Sequence, residues 1–210
     1  TSASRSIPPT VVSHAGRTLT ENRRRRPPVM SKGAAKEPSE EVDERQLELA
    51  REEGEAYQRS IRYMAEEVAN TGGMTEAGDV QVAFAQEEAE GMYHLRDGDL
   101  EWVEPDDENC HLEVAVSDAA DGRFVPDLDV EATLESEDGE QIGPVEVPFV
   151  WHPGLHHYGV NLSVPGDGEY TIQIHVEPPT FPRHDETNGD RYGEAIDVEF
   201  EDVEIETGQG

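Results

Sequence analysis

The sequence predicts a mainly β protein: an antiparallel β-sandwich preceded by one N-terminal α-helix. Three observations carry this. Between residues 39 and 70 apolar or small side chains recur every three or four positions, whereas from residue 79 onward the period is two. Turn dipeptides separate the alternating runs, and no helical pattern lies between them. A chain of 210 residues suffices for one core-bearing domain with some excess.

Residues 1–38 are expected to be a disordered basic leader. Up to residue 36 they hold eight basic side chains and one acid, Glu21, with Pro8-Pro9, Arg23 to Arg26 and Pro27-Pro28 and almost nothing to bury. The arginine run leads into Pro27-Pro28-Val29-Met30 instead of the apolar stretch of an export signal, and Met30 is a candidate true start. Residues 39–72 are expected to form an amphipathic helix. Ser39 would be its N-cap, with Glu40, Glu41 and Asp43 in the first turn, where the helix dipole favours anions. Leu47, Ala50, Gly54, Tyr57, Ile61, Met64 and Val68 make one stripe that ends before Gly72-Gly73. Ala50 and Gly54 weaken a coiled-coil seam, so the stripe is expected to dock on the neighbouring domain or on a twin subunit.

The sandwich is expected over residues 79–206. Its alternating runs are Val80, Val82, Phe84; Leu112, Val114, Val116; Leu128, Val130, Ala132, Leu134; Val160, Leu162, Val164; Tyr170, Ile172, Ile174, Val176; and Ile196, Val198, Phe200. Asp121-Gly122, Asp138-Gly139, Pro165-Gly166-Asp167-Gly168 and Asn188-Gly189 supply turns between them. Half-buried strands at this spacing indicate antiparallel packing.

Charge removes several classes of function. Forty-eight acidic residues against 16 basic ones give a net charge of −32. A phosphate backbone needs a basic face, so nucleic acid is excluded as the main partner. Anionic lipid is disfavoured for the same reason. No apolar run approaches the roughly 20 residues of a membrane helix, so the sequence as it stands predicts a cytoplasmic protein. Cys110 is the sole cysteine, which rules out an intrachain disulfide and any multi-cysteine metal site. The carboxylates are spread through every strand and loop. Such a coat keeps a protein soluble where salt is molar and screening nearly complete, which points to an extreme halophile. A ligand carboxylate must therefore be argued from its position.

Seven of the eight histidines fall between residues 94 and 184. Strand parity sorts them. In Cys110-His111-Leu112-Glu113-Val114 the core face takes Cys110, Leu112 and Val114, so His111 and Glu113 point together to the other face, where both can reach one ion. Cys110 is then a buried small hydrophobe. In Trp151-His152-Pro153-Gly154-Leu155-His156-His157-Tyr158-Gly159, His157 stands at a strand entrance and is best placed to be held rigidly. His175 and Glu177 lie outward on a third strand, and His184 sits in the loop beyond Pro178-Pro179. Histidine is the commonest side-chain ligand of transition metals, and several converging on one small domain favour metal binding over incidental surface roles.

Three segments resemble the iron-transport periplasmic protein family, which includes metal-binding lipoprotein antigens. They are His111-Leu112-Glu113; Phe124-Val125-Pro126-Asp127-Leu128 with the run to His157-Tyr158-Gly159; and His175-Val176-Glu177-Pro178-Pro179 with Arg183-His184. The resemblance implies an immunoglobulin-like sandwich that pairs as a homodimer, binds copper and other divalent ions, and assists ferrous iron uptake by a membrane permease. It implies a site of His111, Glu113, His157 and His184, and an extracytoplasmic location. The family's methionine falls at Val150, which cannot ligate; Met92, His94, His152, His156 and His175 are the candidates for further ligands. Losing the thioether removes the soft ligand that favours Cu(I), leaving a His/carboxylate set suited to Cu(II), Zn(II), Mn(II) or Fe(II). The helix at 39–72 is not typical of the family. Asn161-Leu162-Ser163 matches a glycosylation acceptor but lies in a strand.

The function expected is thus a non-enzymatic metal-binding protein in iron or copper handling. A rival is an immunoglobulin-like interaction module with helix-mediated oligomerisation and no metal role. A copper or iron redox enzyme would need an open coordination position, on which the sequence is silent. No Ser-His-Asp order or carboxylate pair stands out for hydrolysis.

Overall fold

A computed structural model describes Gly33 and residues 35–210. Helix α1 (Glu44–Tyr63) runs on into a single wide π-turn, Met64–Val68. Eleven strands follow: β1 (Thr71–Ala77), β2 (Val80–Glu87), β3 (Met92–Arg96), β4 (Asp99–Val103), β5 (Cys110–Asp118), β6 (Val130–Ser136), β7 (Gln141–Glu146), β8 (Phe149–Val150), β9 (His157–Leu162), β10 (Gly168–Val176) and β11 (Ile196–Ile205). One sheet has the order β1-β2-β5-β9-β8 and the second β11-β10-β6-β7, every pairing antiparallel. The core between them is drawn from the alternating runs: Val82, Phe84, Leu112, Val114 and Val116 from one sheet meet Val130, Leu134, Ile172 and Ile174 from the other. Cys110 is fully buried in this core. The chain is therefore the antiparallel sandwich with one leading helix that its periodicity predicts.

The helix begins later than Ser39. Asp43 is the N-cap: its carboxylate accepts from the Gln46 backbone N–H at 2.8 Å, and the Gln46 side chain accepts from the Asp43 N–H at 3.0 Å. That reciprocal pair satisfies two orphan donors at once. Ser39 instead closes a short turn, its hydroxyl accepting from Glu41 and Val42 N–H and donating to Asp185. At the far end the Gly72-Gly73 pair is not a helix stop but part of β1. A Cβ on Gly72 would lie 2.8 Å from Ala65, and one on Gly73 2.7 Å from the Phe84 ring, so the first glycine lets the returning strand pass close to the π-turn and the second leaves room for the Phe84 ring of the neighbouring strand.

The basic leader falls on residues outside those described, except for its last few. Those are held against the sandwich. Lys36 reaches Asp121 at 2.6 Å and Asp118 at 2.9 Å, and Glu37 exchanges two hydrogen bonds with Asn188. Residues 35–38 are thus a strap and not a disordered tail.

The stripe on α1 seats on the outer face of the β2–β5 sheet. Ile61, with Tyr57 and Met64 beside it, packs on Ala83, Ala115 and Leu155. Gly54 is required by the approach, since a Cβ there would meet the Asp121 carbonyl at 1.7 Å. Every residue of β5 is consequently buried, core face and outer face alike.

Two strands unannounced by the sequence reading, β3 and β4, form a separate ribbon turning at Asp97-Gly98, both with positive φ as a tight hairpin turn requires. Tyr93 faces Trp102 and Leu95 faces Leu100 across it, and all four are exposed.

Candidate metal centre

Strand register builds the site. On the outer face of the sheet, Glu113 of β5 lies opposite Gly159 of β9 and Ala85 of β2, while His111 lies opposite Asn161 and Glu87. His157 shares the face of Gly159 and Asn161, two residues along β9. One ligand atom from each of His111, Glu113 and His157 lies within 4.8 Å of the others.

Both imidazoles are held in the tautomer that a metal needs. His157 Nδ1 sits 2.9 Å from the Leu155 carbonyl, an acceptor, so Nδ1 carries the proton and Nε2 the lone pair. His111 Nδ1 is 2.8 Å from Asn161 Oδ1, and the assignment of that amide is fixed by its Nδ2 donating to the Glu90 carbonyl. Such outer partners are the usual means of orienting a ligating histidine. His157 Nε2 is buried without a hydrogen-bond partner, 3.3 Å from Glu113 Oε1. Gly159 is the cradle: a Cβ there would lie 3.1 Å from both His111 Nε2 and His157 Nε2, occupying the space between the donors.

Burial sets the electrostatics. It pushes the Glu113 carboxyl up to about 8, with Glu87 and Glu90 adding repulsion. Burial lowers His157 to about 4 and also lowers His111, against the opposing pull of the Asn161 hydrogen bond. Two neutral imidazoles and a carboxylate that gains from a nearby cation are the donor set of a borderline divalent ion. The residues present fit such a metal.

The other candidates stand apart. His184 is 91% exposed in its loop, 3.3 Å from Glu41, and the structure does not bring it to the group. His175 lies on β10 in the second sheet, held by Asp197 at 2.8 Å and Glu177 at 3.3 Å, which raise its pKa. His94 is exposed on β3 opposite Glu101, and Met92 opens that strand opposite Val103. His156 is exposed beside Phe149 and Trp151. His152 comes near, its ring 5.9 Å from that of His157, but its Nδ1 accepts from the Gly154 and Leu155 N–H groups. The remaining nitrogen of a neutral His152 then carries the proton and cannot ligate. Val150 lies directly across from His157 in the β8–β9 pair, so the position that lacks a thioether does border the centre. Asn161, the residue of the glycosylation match, spends its amide on His111 and Glu90.

Sequence reasoning missed Glu87 and Glu90. A second group of donor atoms within 4.8 Å comprises Glu87, Glu90 and Glu113. Glu87 was legible in principle, as the polar residue ending the alternation of β2; Glu90 was hidden among the carboxylates of the coat.

The model of a family described as Fe2+ transport protein matches residues 64–206, about two-thirds of the chain. The chain belongs to that family. Among curated proteins no relative matches. Solved structures share the fold: FetP of uropathogenic Escherichia coli is 21% identical over 64% of this chain and 93% of its own, with a TM-score of 0.54. Copper-reconstituted P19 of Campylobacter jejuni is 18% identical over 66% of this chain and 96% of its own, TM-score 0.54. A copper-bound P19 variant with one methionine replaced by isoleucine gives 17%, 64%, 95% and 0.51.

Proposed function

We propose that this protein is a non-enzymatic carrier of a divalent transition metal in iron uptake, holding the ion as cargo between His111, Glu113 and His157. The observation that carries the reading is the convergence of two Nε2 lone pairs and a buried carboxylate on the space that Gly159 leaves open. Membership of the Fe2+ transport protein family supports the transport role. The copper in P19, including a variant short of one methionine, supports copper as an ion such a fold accepts. With no thioether at Val150, the donors suit Cu(II), Zn(II), Fe(II) or Mn(II) better than Cu(I).

The reading extends to its setting. A homodimer would find an apolar surface in the exposed Tyr93, Leu95, Leu100 and Trp102 of the β3–β4 ribbon. The family's description as Fe2+ transport protein supports delivery of the ion to an iron permease, and the production of FetP in a bacterial periplasm supports a place outside the cytoplasm. The carboxylate coat suits a molar-salt environment. The interaction-module rival loses its footing, because the α1 stripe is spent on the chain's own sheet.

Calorimetric titration of the chelator-treated protein with Cu(II) in 2 M KCl tests the reading. One ion should bind per chain, and His157→Ala should abolish it. A wild-type protein that takes up no ion refutes the proposal.

A further inference from the structure

We propose that His152, which does not bind the ion, positions the ligand His157 by holding in place the carbonyl on which the His157 tautomer depends. The proposal deepens the metal-carrier reading. It rests on that reading for the role of His157, and on the loop geometry alone for the link between the two histidines.

His157 offers Nε2 to an ion only while Nδ1 keeps its proton, and the Leu155 carbonyl, 2.9 Å away, is the acceptor that keeps it there. That carbonyl stands in the loop between β8 and β9, where no strand pairing aims it. Among the described residues, neither the Gly154 nor the Leu155 N–H finds a backbone acceptor. Both donate to His152 Nδ1 instead, at 3.1 Å each. A single ring nitrogen thus fixes the Leu155 N–H, and only the torsions of that same residue then remain to aim its carbonyl.

The loop is shaped around the ring. Gly154 folds over it, and a Cβ there would lie 3.3 Å from His152 Cε1. Leu155 buries its side chain with Ile61 of α1. The Tyr57 hydroxyl donates to the His156 carbonyl at 2.7 Å. The peptide that carries the Leu155 carbonyl is therefore tied in front by His152 and behind by Tyr57. Without His152 the front tie is lost, and two N–H groups turn to water while the Leu155 side chain stays anchored. An ordinary capping side chain closes a turn that bears no further duty. Here the next carbonyl along decides which nitrogen of His157 holds the proton, and a proton on Nε2 would block the lone pair an ion needs. His111 is independent of this loop, because Asn161 of β9 holds its Nδ1.

Two variants separate the acceptor from the space that the ring fills. His152→Ala removes both. His152→Asn leaves much the same void but keeps an oxygen acceptor at the δ position. Nitrogen NMR of the imidazoles, on the metal-free full chain in 2 M KCl at neutral pH, reads each tautomer without any ion. In the wild type His157 and His111 should both carry the proton on Nδ1. In His152→Ala the His157 resonances should average toward the other tautomer, and in His152→Asn they should stay, with His111 unchanged in both. Cu(II) affinity by calorimetry should fall roughly tenfold in His152→Ala, at the lower end of what a lost outer partner costs a site, and return to the wild-type value in His152→Asn. Unchanged His157 resonances in His152→Ala overturn the proposal. So does an equal loss of affinity in both variants, which would mark His152 as a ligand or a filler of space. A shift of His111 together with His157 overturns it as well, since that signals general loosening. Failure of Cu(II) to bind the wild type would refute the histidine centre alone, because the tautomer comparison still judges His152.

Discussion

Replacing Glu113 by glutamine should flatten the pH dependence of stability between pH 6.5 and 8 in the metal-free protein. The glutamate has a folded pKa of about 8, set by burial and by Glu87 and Glu90, against an ordinary value of 4.5. A raised carboxyl pKa means that the native state keeps a proton the unfolded chain has already lost. Stability therefore falls as pH rises from 4.5 toward 8. His157 works in the opposite sense. Its folded pKa of about 4 makes the native state reluctant to take a proton, so stability is lost as pH falls from 6.5 toward 4. The two largely cancel between 4.5 and 6.5, and above 6.5 only Glu113 of the pair still titrates. One pKa unit is about 1.4 kcal/mol, so the 1.5 units from 6.5 to 8 remove about 2 kcal/mol. For a domain of this size that is roughly 4–8 °C in melting temperature. His175 complicates the wild-type curve: Asp197 and Glu177 raise its pKa, and its contribution is also lost as pH climbs past 6.5. The difference between wild type and Glu113→Gln isolates the glutamate. Thermal melts by circular dichroism in excess chelator give that difference, and parallel curves would refute the account of a dry, repelled carboxyl. A saturating divalent ion should reverse the wild-type slope, because it binds the ionised form.

Further outcomes follow from close approaches and exposed surface. Gly159→Ala places a methyl 3.1 Å from both Nε2 atoms and should weaken Cu(II) binding about 10–100-fold by calorimetry, the scale on which disturbed ligand orientation is felt, while the far-ultraviolet spectrum stays unchanged. Gly54→Ala drives a Cβ into the Asp121 carbonyl and should cost about 1–3 kcal/mol in denaturant unfolding as α1 is pushed off the sheet. Leu95→Ser with Trp102→Ser removes half the apolar face of the β3–β4 ribbon; analytical ultracentrifugation should show a pair becoming single chains, and an unchanged sedimentation coefficient refutes that role.

The sandwich was legible because its core strands obey strict alternation. β2, β5, β10 and β11 each contain one of the predicted runs whole, and β6 and β9 contain theirs except for Leu128 and Val164, which lie just outside the strands. β1 was not, because Gly72-Gly73 is a stop signal on a helix and a close-packing device in a strand, and only the Ala65 and Phe84 contacts decide between them. The β3–β4 ribbon carried its Asp97-Gly98 turn openly, but its apolar residues point at solvent, so no core demanded it. In the site, parity put His111 and Glu113 on one face, and a strand entrance located His157. What parity could not supply was that this face is covered. His184 shows the converse: a loop histidine has no register, and sequence offers no way to compute where its ring ends up.

The cover itself is what separates this centre from a surface chelate. The family match begins at residue 64, so α1 and its Ile61 precede it, while Glu113 and His157 lie inside it. Ile61 nonetheless forms part of the wall around both ligands, with Leu155 from the loop before β9. Burial is the first cause of the shifts at Glu113 and His157 alike. The donors thus come from the shared sandwich, whereas part of the dryness that makes Glu113 seek a cation comes from an element in front of it. A low-dielectric wall strengthens attraction between a divalent ion and its carboxylate, and it equally penalises the vacant, ionised pocket. Affinity and the instability of the metal-free state therefore have one origin. A substitution that lifts α1, such as Gly54→Ala, should weaken ion binding and the pH slope together.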